Sequence, residues 1–264
     1  MSVHRSSASI KDSAPVPVDR LRDRPGAWVD LGLTLPIFLV YHLAVVFLGV
    51  QNATDMVTGA LMSLSAGDKT KYLLATLCIG VIFAGTFALL GRGQAFRPRK
   101  FVQILVEGAV YAVVMALAAN AVVGGLFASV AGNIKDEGRF VGFIMSLGAG
   151  FYEELTFRVL LFGLGAKILV WFFGRQRVEL AGTSVTTSGF TFRSLLVMSA
   201  WAIACAVIFS GVHYVGALAD SFQLTSFTFR AVLGLILTLI FVTRGFAAAV
   251  WTHTIYDVWV LVFR

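Results

Sequence analysis

Two adjacent carboxylates, Glu153 and Glu154, lie inside an apolar stretch from Phe140 to Phe173, and Arg158 follows them in the same stretch. A charged side chain at the centre of a bilayer costs about 2.5–3.5 kcal/mol on insertion scales, so such groups need partners or a function. Residues four apart share one face of a helix, whereas Glu153 points about 100° away from Glu154. We therefore predict a structural ion pair between Glu154 and Arg158, which leaves Glu153 free to act as a general base.

Two histidines in other apolar stretches could work with that carboxylate. His213 ends the run 209–213, which reads F-S-G-V-H, and His253 begins the run 253–257, which reads H-T-I-Y-D. Because His253 and Asp257 are four apart, we expect them on one helix face. Imidazole is suited to proton transfer near neutral pH. We expect His42, in the first apolar run, to make one local hydrogen bond and no catalytic contact.

Apolar runs long enough to cross a membrane must position these residues. Runs of roughly 17–25 residues predict spanning helices, and the candidates are 28–50, 71–91, 102–131, 140–173, 194–219, 226–243 and 245–263. The segment 55–66 is too short to span, so it predicts an amphipathic surface helix, a packed loop or part of a longer second span. With these span boundaries, Glu153 and His253 are expected nearer the cytoplasmic side of the membrane, and His213 nearer the outer end of its helix.

The fold class that follows is all-α, a polytopic transmembrane bundle of about seven spans. Residues 1–25 are polar and predict a disordered cytoplasmic tail, and residues 26–264 predict a single transmembrane domain with a motif-bearing core at 140–264, in the last four spans. With 58% hydrophobic and 13% charged residues and a mean hydropathy of +0.85, a separate soluble domain is not expected. Cys78 and Cys205 both lie in predicted spans, which disfavours a structural disulfide or a thiolate metal site.

Basic residues indicate the orientation of the chain. Lys and Arg are most frequent before the first apolar run, between the second and third, and between the fourth and fifth, and none lies between Tyr214 and Ser226. By the positive-inside rule, this alternation places the N-terminus in the cytoplasm. The formal charge of +7 lies largely beside the apolar runs, so it predicts attraction to anionic membrane lipid and no nucleic-acid binding.

In chain order, the three motifs resemble those of the CPBP family of intramembrane proteases. Residues 153–158 are similar to E-E-x-x-x-R, residues 209–213 to F-x-x-x-H, and residues 253–257 to H-x-x-x-N/D. The family includes the type II CAAX prenyl endopeptidases and bacterial relatives linked to bacteriocin processing and immunity. The resemblance covers Phe140 to the C-terminus.

The resemblance implies a role for each motif residue. Glu153 would activate water with help from His213, Glu154 and Arg158 would support the site, and His253 and Asp257 would bind the developing oxyanion. Asp257 stands where other members carry Asn, and an ionised carboxylate cannot donate a hydrogen bond. Asp257 is therefore protonated, orients His253 or binds a metal, and we favour the orienting role.

No cofactor is favoured by the sequence. Zinc remains an alternative, because Glu153, His213, His253 and Asp257 form a conceivable set of nitrogen and oxygen ligands. The chain lacks the H-E-x-x-H spacing with which metalloproteases present two ligands from one helix.

We accordingly predict an intramembrane endopeptidase, an enzyme that hydrolyses a peptide bond in a membrane-associated peptide or protein, with or without a lipid modification. The alternatives are a non-catalytic membrane immunity or scaffold protein on the same fold, and a proton-coupled transporter that uses the buried ionisable groups as a relay. We expect a multi-pass protein of a bacterial plasma membrane.

Overall fold

Seven helices long and apolar enough to cross a membrane are present in the part of the chain that the structure describes. The computed structural model describes residues 26–94, 96–126, 138–174, 180–181, 184–185, 191–216 and 219–263. The seven spans are Ala27–Val45, Lys69–Leu90, Pro98–Gly124, Arg139–Phe173, Phe192–Val212, Leu224–Arg244 and Phe246–Phe263. The predicted all-α bundle is confirmed. The predicted tail 1–25 and the predicted end of the third span, 127–131, lie outside the described residues.

The bounds of the individual helices show where regular α-helix gives way to wider turns. The α-helices are α1 Ala27–Val45, α2 Met56–Leu64, α3 Lys69–Leu90, α4 Pro98–Leu126, α5 Arg139–Gly148, α6 Gly165–Leu169, α7 Phe192–Val212, α8 Leu224–Arg244 and α9 Phe246–Val258. Segments of π-helix follow α5 at Ala149–Leu164, α6 at Val170–Gly174 and α9 at Trp259–Phe263. A two-residue antiparallel pair, β1 Leu180–Ala181 and β2 Ser184–Val185, precedes α7.

Two spans end earlier than their apolar runs. The run predicted to continue to residue 50 leaves the helix after Val45 and enters a turn. The run predicted to continue to residue 219 ends at Val212, where the amides of His213 and Tyr214 bond to carbonyls three residues back. A hydropathy window counts apolar residues and does not register such a change in hydrogen bonding, so both predicted ends were too late.

The short segment after the first span forms a helix of its own. Asp55 is the N-cap of α2, and its side chain accepts hydrogen bonds from the backbone amides of Val57 and Thr58. Capping by a carboxylate satisfies amides that have no partner inside the helix. Of the three predicted possibilities, the structure therefore has the short separate helix.

The C-terminal helix α9 lies at the centre of the bundle and packs against α1, α4, α5, α8 and the π-helical segment Ala149–Leu164. Ala247, Ala248 and Ala249 are almost fully buried, and small side chains allow neighbouring helices to approach closely. The start of α9 is tied to α1, because Asp30 Oδ2 accepts a hydrogen bond from the backbone amide of Phe246 at 2.9 Å. These contacts fix the position of the last motif, residues 253–257, which is carried by α9.

Candidate active site

A buried ion pair on the π-helical segment Ala149–Leu164 anchors the site. Glu154 and Arg158 are almost completely buried, and Arg158 Nε lies 3.1 Å from Glu154 Oε2. The atoms are close without the angle of a good hydrogen bond, so the contact is primarily electrostatic. The Arg158 guanidinium also lies 4.2 Å from the centre of the Phe209 ring, and its Nη2 donates to the carbonyl of Gly234 at 3.4 Å. The predicted ion pair is present, and it links three helices.

The same buried carboxylate orients His253. His253 Nδ1 lies 2.7 Å from Glu154 Oε1, and a carboxylate accepts hydrogen bonds, so Nδ1 carries the proton in this contact. The other ring nitrogen, Nε2, then faces Asp257 Oδ2 at 3.4 Å and Glu153 Oε2 at 3.9 Å. The spacing of four residues does place His253 and Asp257 on one face, and Asp257 lies where it could accept from the imidazole.

Glu153 has different surroundings from its neighbour. Its side chain is 13% exposed, whereas Glu154 has no exposed surface. Glu153 Oε1 accepts a hydrogen bond from Asn52 Nδ2 at 2.9 Å, and Oε2 is the oxygen that faces His253. The two carboxylates thus point to different partners, as their helical positions predict, and Glu153 is the one that solvent can reach.

His213 lies at the edge of this group. It is the C-cap of α7, and its Nδ1 donates to the carbonyl of Phe209 at 2.9 Å. The Phe209 ring centre is 5.3 Å from that of His213 and 6.1 Å from that of His253. Within the described residues, His213 therefore joins the other motifs through an aromatic ring, and not through a direct hydrogen bond. Its Nδ1 contact leaves Nε2 as the nitrogen available for other partners.

Glycines explain how the helices approach at this point. A Cβ on Gly150 would overlap Thr254 Oγ1 and would lie 2.9 Å from the Thr254 backbone nitrogen. Thr254 directly follows His253, so the absence of a side chain at Gly150 allows α9 to bring that imidazole next to the carboxylates. A Cβ on Gly148 would instead overlap the ring of Tyr41. Gly148 therefore accommodates an aromatic side chain of α1.

Sequence reasoning missed two contributions from the N-terminal spans. Asn52, in the loop after α1, reaches Glu153, and a polar residue in a loop carries no local signal for such a contact. The expectation that His42 makes one local hydrogen bond was wrong. Its buried ring lies between the hydroxyls of Tyr72, 2.8 Å away, and Tyr152, so it connects three helices where one local hydrogen bond was expected.

The zinc alternative requires at least three of four side chains to converge, namely Glu153, His213, His253 and Asp257. Across the described ranges, no group of three or more His, Cys, Asp and Glu side chains is arranged to hold a metal ion. The residues therefore do not fit a metal in this arrangement. The arrangement does provide a partly exposed carboxylate beside an imidazole that is anchored from behind, which is suited to activating water.

Comparison with known proteins adds one finding to this geometry. Residues 136–259 match the family model for type II CAAX prenyl endopeptidases described as Rce1-like. No curated protein and no solved structure matches the chain. The matched segment contains all three motifs, from Glu153 to Asp257. Over residues 136–259, just under half of the chain, this multi-pass membrane protein is similar to the Rce1-like family of type II CAAX prenyl endopeptidases.

Proposed function

We propose that this protein is an intramembrane endopeptidase that hydrolyses a peptide bond in a membrane-associated peptide or protein. The observation that carries the proposal is the contrast between two adjacent carboxylates. Glu154 is buried against Arg158 and His253, whereas Glu153 is partly exposed and faces His253 Nε2. A site in which one acid orients an imidazole and the other can reach water has the parts that hydrolysis requires.

In the proposed reaction, Glu153 removes a proton from a water molecule while the water oxygen attacks the carbonyl carbon of the scissile bond. The carbonyl oxygen becomes an oxyanion in a tetrahedral intermediate. Glu153 then delivers the proton to the amide nitrogen, the C–N bond breaks, and the products are a carboxylate and an amine.

The histidines act on the developing charge in this proposal. When His253 carries protons on both ring nitrogens, Nδ1–H donates to Glu154 and Nε2–H can donate to the oxyanion. Asp257, 3.4 Å from Nε2, orients the imidazole before substrate binds. His213, whose Nδ1 is engaged by the Phe209 carbonyl, assists through its Nε2. Donors placed in advance where charge develops typically supply about 2.7–4 kcal/mol each.

The proposed cellular setting is a bacterial plasma membrane with the N-terminus in the cytoplasm, supported by the alternation of basic loops. The substrate is a membrane-anchored peptide or protein, with or without a lipid modification, that enters between the helices. The reaction as written needs no metal ion or other cofactor.

The test compares membrane polypeptides from cells that carry the wild-type protein or Glu153→Gln. N-terminal and C-terminal peptides are quantified by mass spectrometry. Glu107→Gln serves as a matched control, because Glu107 pairs with Arg244 and neither residue belongs to the three motifs. We expect at least one polypeptide to remain unprocessed in the Glu153→Gln cells and to be processed in the other two. Equal processing in all three, with equal amounts of folded protein, would contradict the proposal and favour a non-catalytic scaffold.

A further inference from the structure

Asn52, in the loop between α1 and α2, donates a hydrogen bond to one of the motif carboxylates. It is 7% exposed, and its Nδ2 lies 2.9 Å from Glu153 Oε1, across 101 positions of sequence. It lies outside the segment 136–259 that matches the family model. The family match therefore gives Asn52 no role, and any role must be argued from its contacts.

The orientation of the Asn52 amide is determined by its other partners. The backbone amide of Thr54 can only donate, and it lies 2.9 Å from Asn52 Oδ1. The Thr54 hydroxyl lies 2.6 Å from the same oxygen. Because Oδ1 is occupied in this way, the NH₂ end of the amide must face Glu153. The contact is therefore a hydrogen bond donated to a carboxylate, the kind that is stronger than one between neutral groups.

The loop that carries Asn52 is fastened to the helix that carries Glu153. The backbone amide of Asn52 donates to Tyr41 Oη at 3.1 Å, and Tyr41 Oη in turn donates to Asp55 Oδ2 at 2.9 Å. Tyr41 is fully buried, and its ring lies 5.7 Å from that of Tyr152. Tyr152 directly precedes Glu153, so the donor and the acceptor of the Asn52–Glu153 bond are held by one packed unit.

We propose that Asn52 is a positioning residue for Glu153. By engaging Oε1, it leaves Oε2 directed toward His253 Nε2, 3.9 Å away, where a water molecule must be activated. The inference rests on the proposed hydrolytic function, since it assigns Asn52 to the same site. It extends the site into the N-terminal spans and explains how a carboxylate that is partly exposed keeps one orientation.

The variant Asn52→Asp tests the donor end of the Asn52 side-chain amide separately from the acceptor end. The substituted side chain has nearly the same shape and can still accept from Thr54, but it cannot donate, and it places a second carboxylate against Glu153. Thr54→Val is the matched control, because it removes the hydroxyl contact at Oδ1 and leaves the bond to Glu153. With a polypeptide identified in the proteomic experiment as substrate, we expect Asn52→Asp to lower kcat at least about tenfold with KM within twofold. Thr54→Val should keep both constants within about twofold.

A second measurement does not depend on catalysis. Thermal unfolding in detergent is compared for wild type, Asn52→Asp, Glu153→Gln and the double variant. We expect Asn52→Asp to lower the Tm by at least about 3 °C when Glu153 is present. In the Glu153→Gln background the loss should be under about 1 °C, because the glutamine amide can donate to the new carboxylate.

The outcomes are distinguishable. Equal Tm losses in both backgrounds would show that the bond to Glu153 is not made, which overturns the inference whether or not the protein is a protease. A Tm difference together with an unchanged kcat would overturn the positioning role. If cells with the wild-type protein and cells with Glu153→Gln show the same processed polypeptides, the proposed function fails. The Tm difference then reports a purely structural contact between Asn52 and Glu153.

Discussion

Replacing Arg158 with methionine removes the positive charge from a fully buried pair while keeping an unbranched apolar side chain in place. Glu154 and Arg158 have 0% and 1% of their surfaces exposed, so water cannot take the place of the lost guanidinium. Breaking a buried pair by removing one partner typically costs about 3–5 kcal/mol. Glu154 keeps its 2.7 Å contact with His253 Nδ1, and we therefore expect a cost of about 3 kcal/mol, toward the lower end of that range.

The measurement is the thermal unfolding midpoint of the purified protein in detergent, followed by the loss of the monodisperse peak in size-exclusion chromatography. At about 2–4 °C per kcal/mol, the expected decrease for Arg158→Met is roughly 6–12 °C. The double variant Glu154→Gln with Arg158→Met leaves no isolated charge, and it should recover most of the decrease, since neutral replacements of buried pairs are often tolerated. Glu153→Gln should lie within about 2 °C of wild type, because this side chain is partly exposed. The reasoning is refuted if Arg158→Met unfolds within about 2 °C of wild type, or if the double variant is no more stable than the single one.

Three further outcomes are expected. Gly150→Ala should lower the cleavage rate at least about tenfold and the free energy of unfolding by about 1–3 kcal/mol, because the added Cβ would displace Thr254 and the adjacent His253. Wild-type kinetics in this variant would contradict that, since they would show that α9 can shift without loss of activity. Glu107→Gln should change the free energy of unfolding by less than about 1 kcal/mol and leave cleavage intact, since the ion pair with Arg244 is partly exposed. Reduced processing by this variant would instead place Glu107 on the path of the substrate. Prolonged treatment with a chelator should not reduce cleavage by the purified protein. If the chelator did abolish cleavage and added zinc restored it, the reaction would have to use a metal ion.

The sequence was sufficient for the bundle and for the local geometry of two of the three motifs. Hydrophobic runs predicted all seven spans because the bilayer sets the length of a spanning helix. Spacing of four residues predicted the Glu154–Arg158 pair and the proximity of His253 to Asp257, because both relations lie within one helix. The ends of α1 and α7 were missed because they depend on turns that apolar composition does not reveal.

Only the tertiary structure decided which motifs meet and which residues support them. The contact of Glu154 with His253 joins residues 99 positions apart, and that of Asn52 with Glu153 joins residues 101 positions apart. Such contacts depend on how closely helices pack, which Gly150 permits at one crossing, and on the path of a loop. The amino-acid sequence alone therefore determined the membrane bundle and the faces on which the reactive groups lie. Packing between helices decided that Glu153 is the accessible acid, that the Phe209 ring lies close to both His213 and His253, and that the loop after the first span reaches the site, because no local period encodes the distance between two separate helices.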